Sequence, residues 1–160
     1  MARSSQYTHY MQRIDITESA RDIEDYSWSG DGYKGLLYMK ADGMNDIGKA
    51  KNVYTETYAD NDNLRVFLPN DGKYANEATK ITMHFLIVGT STQRQRTLAN
   101  FETYLREGVH RYWDDARNLE FDFVIQDEIK VSSERWHGSN PYVEIAVPMQ
   151  NLNGKTRPHA

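Results

Sequence analysis

The sequence predicts one β-rich α+β domain, an antiparallel sandwich or partly closed barrel with a single helix packed on a sheet. Three observations carry that prediction. Several short runs alternate apolar and polar residues, one segment alone repeats its apolar residues at helical spacing over several turns, and Asp-Gly, Asn and Pro signals separate the runs. The 160 residues suffice to enclose one core and carry no internal repeat.

The helical segment lies within TSTQRQRTLANFETYLREGVHRYWDDARNLEFDF, from Thr90 to Phe123. Leu98, Phe101, Leu105 and Val109 follow one another by three or four residues and share a stripe, while Gln93, Arg94, Gln95, Arg96, Glu102 and Arg106 take the other faces. Thr90, Ser91 and Thr92 offer oxygens to the amides of the first turn and Gly108 is placed to stop the helix, giving a span of about 91–107. HRYWDDARN reads as a short strand and turn because Gly108 precedes it and Asp114-Asp115 interrupts it.

The strands follow from period-two alternation. ITMHFLIVG puts Ile81, Met83, Phe85 and Ile87 on one face; LEFDFVI does so with Leu119, Phe121, Phe123 and Ile125. In PYVEIAVPMQNL, Val143, Ile145 and Val147 oppose Tyr142, Glu144, Ala146 and Pro148. VYTETYA and LRVFLP form two shorter strands joined by the turn Asp60–Asn63. Residues 1–19 are read as an N-terminal arm, with a short strand at MQRIDI, and 20–154 as the structural domain. Residues 155–160 are read as a mobile C-terminal tail.

Composition narrows the function classes. Mean hydropathy is −0.78, yet eleven Tyr, five Phe and three Trp set the chain apart from disordered polar sequences. A net charge of −4 argues against specific nucleic-acid binding, which needs a concentrated basic face. With no Cys there is no disulfide, thiolate metal site or cysteine nucleophile. No signal-like segment is visible, and no apolar run reaches the roughly 20 residues of a membrane span.

Motifs for chemistry are weak. Gly30, Gly32 and Gly35 satisfy G-x-G-x-x-G, but after the polar run DIEDYSWS and without a following helix. Asp60, Asp62, Asn63 and Asp71 miss the spacing of a calcium loop, since Leu64 and Arg65 fall where an oxygen ligand and a Gly are needed. His110 with Asp114 or Asp115 could pair on a metal only if the helix continued, and further ligands have no evident source. His84 falls on a polar strand face. The expectation is no catalytic residue, no cofactor and no metal.

Large apolar side chains in glycine-rich loops point instead to an interface. The stretch 25–51 holds five Gly among Trp28, Tyr33, Leu37 and Met44, and SERWHGSNPY sets Trp136 and His137 among Gly, Ser and Asn. Contact with a neighbour would order such backbone and remove its aromatics from water. On this reading 25–51 is mobile in an isolated subunit. The competing reading packs a hairpin at Leu36–Lys40 into the subunit's own core.

NVYTETYADNDNLRVFLP, ATKITMHFLIVG, FETYLREGVHRYWDDARNLEFDFVIQDE and ERWHGSNPYVEIAVPMQNLNG, taken in order, resemble small bacteriophage or prophage tail and neck structural proteins. Tail-tube, distal-tail and tail-terminator subunits are meant. The resemblance runs from Leu36 to Gly154 and rests on the order and texture of the segments. It implies a β-sandwich or barrel flanked by a helix, assembling into rings commonly of six copies. It further implies neighbouring tail or neck proteins as partners, a lumen through which DNA could pass without specific binding, and a location in the virion after synthesis in the host cytoplasm. The expected function is therefore structural, by self-assembly into rings or a tube. The alternative is a small enzyme or ligand-binding domain using the Gly30–Gly35 loop or His110. A third reading is a host adaptor that binds a peptide at a strand edge.

Overall fold

The computed structural model describes residues 7–27, 33–49 and 76–159, and the backbone of two further strands, 54–57 and 64–67. In chain order the elements are β1 (His9–Arg13), β2 (Arg21–Asp22), a 3-10 turn (Ile23–Tyr26), β3 (Leu36–Asp42), β4 (Tyr54–Thr57), β5 (Leu64–Phe67), β6 (Thr79–Val88), α1 (Ser91–Leu105), β7 (His110–Asp114), β8 (Leu119–Val124), β9 (Lys130–Val131), β10 (Arg135–His137), β11 (Asn140–Asn151) and β12 (Arg157–Pro158). The predicted β-rich α+β class is correct. Ten strands form one antiparallel sheet ordered β2-β1-β7-β8-β11-β6-β3; β9 and β10 flank β11, β12 flanks β8, and β4-β5 form a separate pair. Its terminal strands β2 and β3 do not pair with each other, so the sheet stays open and does not close into a barrel.

The spine is β6 against β11, in unbroken register from Tyr142↔Val88 to Asn151↔Thr79. Alternation decides what each strand buries: Ile81, Met83, Phe85 and Ile87 from β6 and Ile145, Val147 and Met149 from β11 all fall below 2 % exposure. Pro148 sits in this central strand at no cost to the ladder. It falls between the part of the β11 edge paired with β9 at Ile145–Ala146 and the part paired with β8 at Gln150–Asn151. On β8, Phe121, Phe123 and, just beyond it, Ile125 turn inward as the alternation predicts.

Helix α1 begins with the predicted cap. Thr90 Oγ1 accepts from Gln93 N at 3.2 Å while Gln93 Oε1 accepts from Thr90 N at 3.0 Å, a reciprocal capping box. It ends near the expected place, with Gly108 at φ +68° letting the chain reverse into β7. The buried stripe, however, is Arg94, Thr97, Phe101 and Leu105, with Leu98 at its flank. Two assignments change. Val109 lies beyond the helix, and Arg94, placed away from the apolar stripe by the helical spacing, is 8 % exposed. Its stem packs inward while Nε donates to the Gly89 carbonyl at 3.1 Å and a terminal nitrogen pairs with Glu134. Phe101 meets Phe85 edge-on, at 5.3 Å and 87°, fastening the helix to the sheet.

Three regions differ from the domain outline read from sequence. The arm 1–19 contributes β1 at HYMQR, upstream of the expected MQRIDI, fully paired with β7 from His9↔Asp114 to Arg13↔His110. The stretch 25–51 contains β3, an integral strand paired with β6, with a bulge between Tyr38 and Lys40. Leu36, Leu37 and Met44 are 0 %, 7 % and 4 % exposed within the subunit itself, so no neighbour is needed to cover them. Within 155–160, Arg157 and Pro158 pair with Glu120 and Leu119 of β8 instead of trailing free. Among the described residues no helix is long and apolar enough to cross a membrane.

Candidate functional site

The sheet's outer face, away from the core, divides into two unlike halves. Over β3, β6 and β11 lies an open trough of about 1100 Å³. Leu37, Leu86, Val88 and Tyr142 give it an apolar floor, Thr90 and Gln93 come from the start of α1, and Arg135, His137 and Glu144 provide its polar rim. The rim belongs to the hairpin β10–β11. His137 and Asn140 pair across the two-residue loop Gly138-Ser139, and Gly138 at φ +63° supplies the left-handed conformation such a tight connection needs. Alternation sends Arg135 and His137 to the trough, whereas Trp136 is left 61 % exposed. Glu134, just before β10, is held by Arg94, which anchors the hairpin's base to the helix.

A polar row crosses the same half of the sheet. His84 has one ring nitrogen 3.2 Å from Asp42 Oδ2 and the other 3.2 Å from Glu144 Oε1, and Arg135 reaches Glu144 Oε2 at 3.2 Å. The carboxylates flank the imidazole on opposite sides, an arrangement for tying three strands together, not for enclosing one ion.

The other half, over β1, β7 and β8, is paired internally. Glu120, 5 % exposed, and Asp122 project from β8 between two guanidiniums. Arg111 Nε lies 2.9 Å from Glu120 and 2.7 Å from Asp122, while an Arg157 nitrogen lies 2.7 Å and 3.0 Å from them. Burial opposes ionisation of Asp122, but Arg111 and Arg157 outweigh it and hold the carboxyl below its usual range. Beside them Tyr10, Trp113 and His159 stack at 5.2 Å and 4.2 Å, one ring from each of three neighbouring segments.

A second titratable group is enclosed under β1. His9 stacks on Tyr38 at 3.8 Å, and its Nδ1 lies 2.7 Å from the Tyr112 hydroxyl. That hydroxyl donates to Asp114 Oδ2 at 3.3 Å, and Asp114 also accepts from the backbone and guanidinium of Arg117. Burial lowers the His9 pKa and raises that of Tyr112. Burial also works against Asp114 ionisation, yet the Arg117 contacts prevail and keep it a carboxylate.

The residues singled out by sequence scatter over this frame. Leu37 lies on the trough floor and His137 on its rim; Trp136 adjoins them on the hairpin. Tyr33 is half-buried and donates to the Val88 carbonyl near the same trough, whereas Met44 belongs to the core. Trp28, Gly30 and Gly32 lie outside the described residues, as do Asp60, Asp62, Asn63 and Asp71. Gly35 leads directly into β3 and not into a helix, so the phosphate-cradling geometry of G-x-G-x-x-G is missing at its last glycine. His110 is fully buried between the Tyr104 and Phe123 rings, and Asp114 is used by Arg117. Among the described residues no three His, Asp or Glu side chains converge as metal ligands. Compared with models of known protein families and with curated proteins, the chain matches none.

Proposed function

We propose that this chain is a structural subunit of a phage tail or neck that acts by self-assembly into rings or a tube, as the resemblance of its sequence implies. The observation that carries the reading is the β10–β11 hairpin. It presents Trp136 at 61 % exposure beside a trough with an apolar floor. A lone surface Leu needs no explanation, but an exposed Trp on a braced hairpin is the residue type that dominates protein interfaces. The anchor and the trough are different surfaces of one subunit, and contact between unlike surfaces joins copies head to tail, closing into rings when the rotation allows. Strand β3 adds a seven-residue edge with no further strand beside it among the described residues.

Light scattering and negative-stain imaging of the purified protein test this. The expected result is a defined multiple of the 18.6 kDa chain, seen as rings or tubes. Trp136→Ser should abolish the multiple while leaving the thermal melt unchanged, because the side chain is exposed in the subunit. A wild-type chain that stays monomeric across the concentration range would refute the proposal.

A further inference from the structure

The segment Lys155–His159 is built into the sheet by contacts that would be identical if a different copy of the chain supplied them. Its ladder with β8 has only two register pairs, Arg157↔Glu120 and Pro158↔Leu119. One more backbone bond, His159 N to the Asn118 carbonyl at 2.8 Å, extends it. The remaining hold comes from charge and ring contact: Arg157 on Glu120 and Asp122, the His159 ring nitrogen 3.1 Å from Glu120, and the His159 ring 4.2 Å above Trp113. The receiving slot is demanding. Glu120 is 5 % exposed, and Arg111 alone would have to serve both carboxylates if the segment left. Such a pair of partly buried acids requires a second guanidinium from somewhere.

The connection to the segment is short. Gly154 is fixed to the body, its carbonyl accepting from Gly48 N at 2.7 Å, so only Lys155 and Thr156 separate that anchor from Arg157. Exchange of a small docked element between copies keeps its contacts and changes only the hinge, so once copies are held together by another surface it costs little. We propose that the β8 slot is an exchange site: in the assembly it receives the Arg157–His159 segment of a second copy, whose Arg157 and His159 complete the Glu120–Asp122 cluster. The occupant is set by chemistry, an extended strand bearing a guanidinium and, two residues on, a flat ring that fits Trp113. This rests on the self-assembly reading above.

The chain has no Cys, which permits a direct test. Leu119 and Pro158 are opposite one another in the ladder. Single variants Leu119→Cys and Pro158→Cys, mixed under assembly conditions and oxidised, should give covalent dimers on a denaturing gel. Ile47→Cys, at a site 71 % exposed, replaces Leu119→Cys as the control for chance collision. The double variant Leu119→Cys/Pro158→Cys, oxidised as a monomer, locks the segment in its own slot. It should melt no lower than its reduced form and should fail to assemble, whereas the reduced form assembles like wild type. Dimers no more abundant than the Ile47 control, or a locked chain that assembles normally, would overturn the exchange while leaving self-assembly standing. A wild-type chain that remains monomeric would overturn both.

Discussion

Phe101→Ala probes whether the helix is held to the sheet as the packing shows. The ring is 1 % exposed and touches Phe85 at 5.3 Å and Tyr26 at 6.5 Å between centroids. Emptying a buried Phe site costs about 3–5 kcal/mol, lost transfer energy and residual cavity together. Within that total, the edge-on aromatic pair accounts for about 0.5–1.5 kcal/mol. Against a total stability of about 5–15 kcal/mol the whole loss is a large fraction, and the melting point should fall by about 6–20 °C at this chain length. Urea unfolding followed by far-ultraviolet circular dichroism is the assay: the midpoint should fall while the slope stays constant. Leu98→Ala sets the phase of the helix. Leu98 lies at the flank of the stripe and should cost clearly less than Phe101. Equal costs at the two positions would mean that the stripe follows the apolar spacing and that Arg94 and Thr97 are not its buried members. A Phe101→Ala midpoint no lower than that of the exposed Glu102→Ala control would refute the packing altogether.

His110→Phe addresses pH. Burial lowers the folded-state pKa of His110 and the Glu107 backbone only partly offsets it, so below about pH 6.5 the unfolded chain binds a proton that the folded chain refuses. Wild-type stability should therefore decline as pH falls through and below the ordinary histidine range, and the Phe variant should decline less; parallel profiles from pH 7 to 5 would contradict this. Asp15 acts lower on the scale. Its carboxyl is brought to about 2 by the Arg13 side chain and the Val109 amide, so its stabilisation is present above the usual carboxylate pKa and lost as pH falls through about 2. Asp15→Asn should remove part of the acid limb between about pH 4 and 2 in equilibrium unfolding, and an unchanged limb would exclude the Arg13–Asp15–Val109 contacts. Asp114→Asn should destabilise the chain far more than Asp115→Asn, because Asp114 alone closes the turn to Arg117 and meets Tyr112.

How much the sequence disclosed depended on whether the signal was local. Strand β6 buries every second residue, and alternation also named the inward Phe121 and Phe123 of β8 and Ile145 and Val147 of β11, while Thr90, with Ser91 and Thr92, marked the helix start by chemistry confined to the first turn. The misjudged places are those where a distant segment decides. Arg94 reads as solvent-facing until Gly89 and Glu134 appear beside its guanidinium. Leu36 and Leu37 read either as part of a sticky glycine-rich loop or as a strand packed in the subunit's own core, and the ladder that β6 supplies decides for the strand. A two-residue strand such as β12 has no periodicity to detect, and Glu120 looks like an ordinary polar-face acid until register places Arg111 and Arg157 around it. The aromatic among turn residues at SERWHGSNPY was legible because those residues are adjacent in the chain, but the segment read as a loop, since the three residues of β10 are too few to show alternation. The trough beside it was not legible, since its floor combines β3, β6 and β11.

The division of the outer face bears on how copies would meet. Over β1, β7 and β8, the carboxylates of Glu120 and Asp122 already have cation partners. A flat neighbour laid on that half would strip water from these ions without offering better contacts, and desolvation of paired charges often cancels their attraction. Only a segment that reproduces Arg157 and His159 gains there. Over β3, β6 and β11 the balance is reversed: apolar floor residues lose little on leaving water, and Trp136 gains area on contact. The two halves thus favour two kinds of contact, broad apolar docking at the trough and strand exchange at the β8 edge. Salt bears on the first of these alone. Raising ionic strength from about 0.1 M to 1 M shortens the screening length from about 10 Å to 3 Å. It weakens the Arg157 contacts with Glu120 and Asp122 equally in the closed and the exchanged forms, so the balance between those forms should not move, while the trough contact should persist or strengthen. Assembly that dissolves in 1 M salt would mean that charged contacts between copies, and not the apolar trough, hold it together.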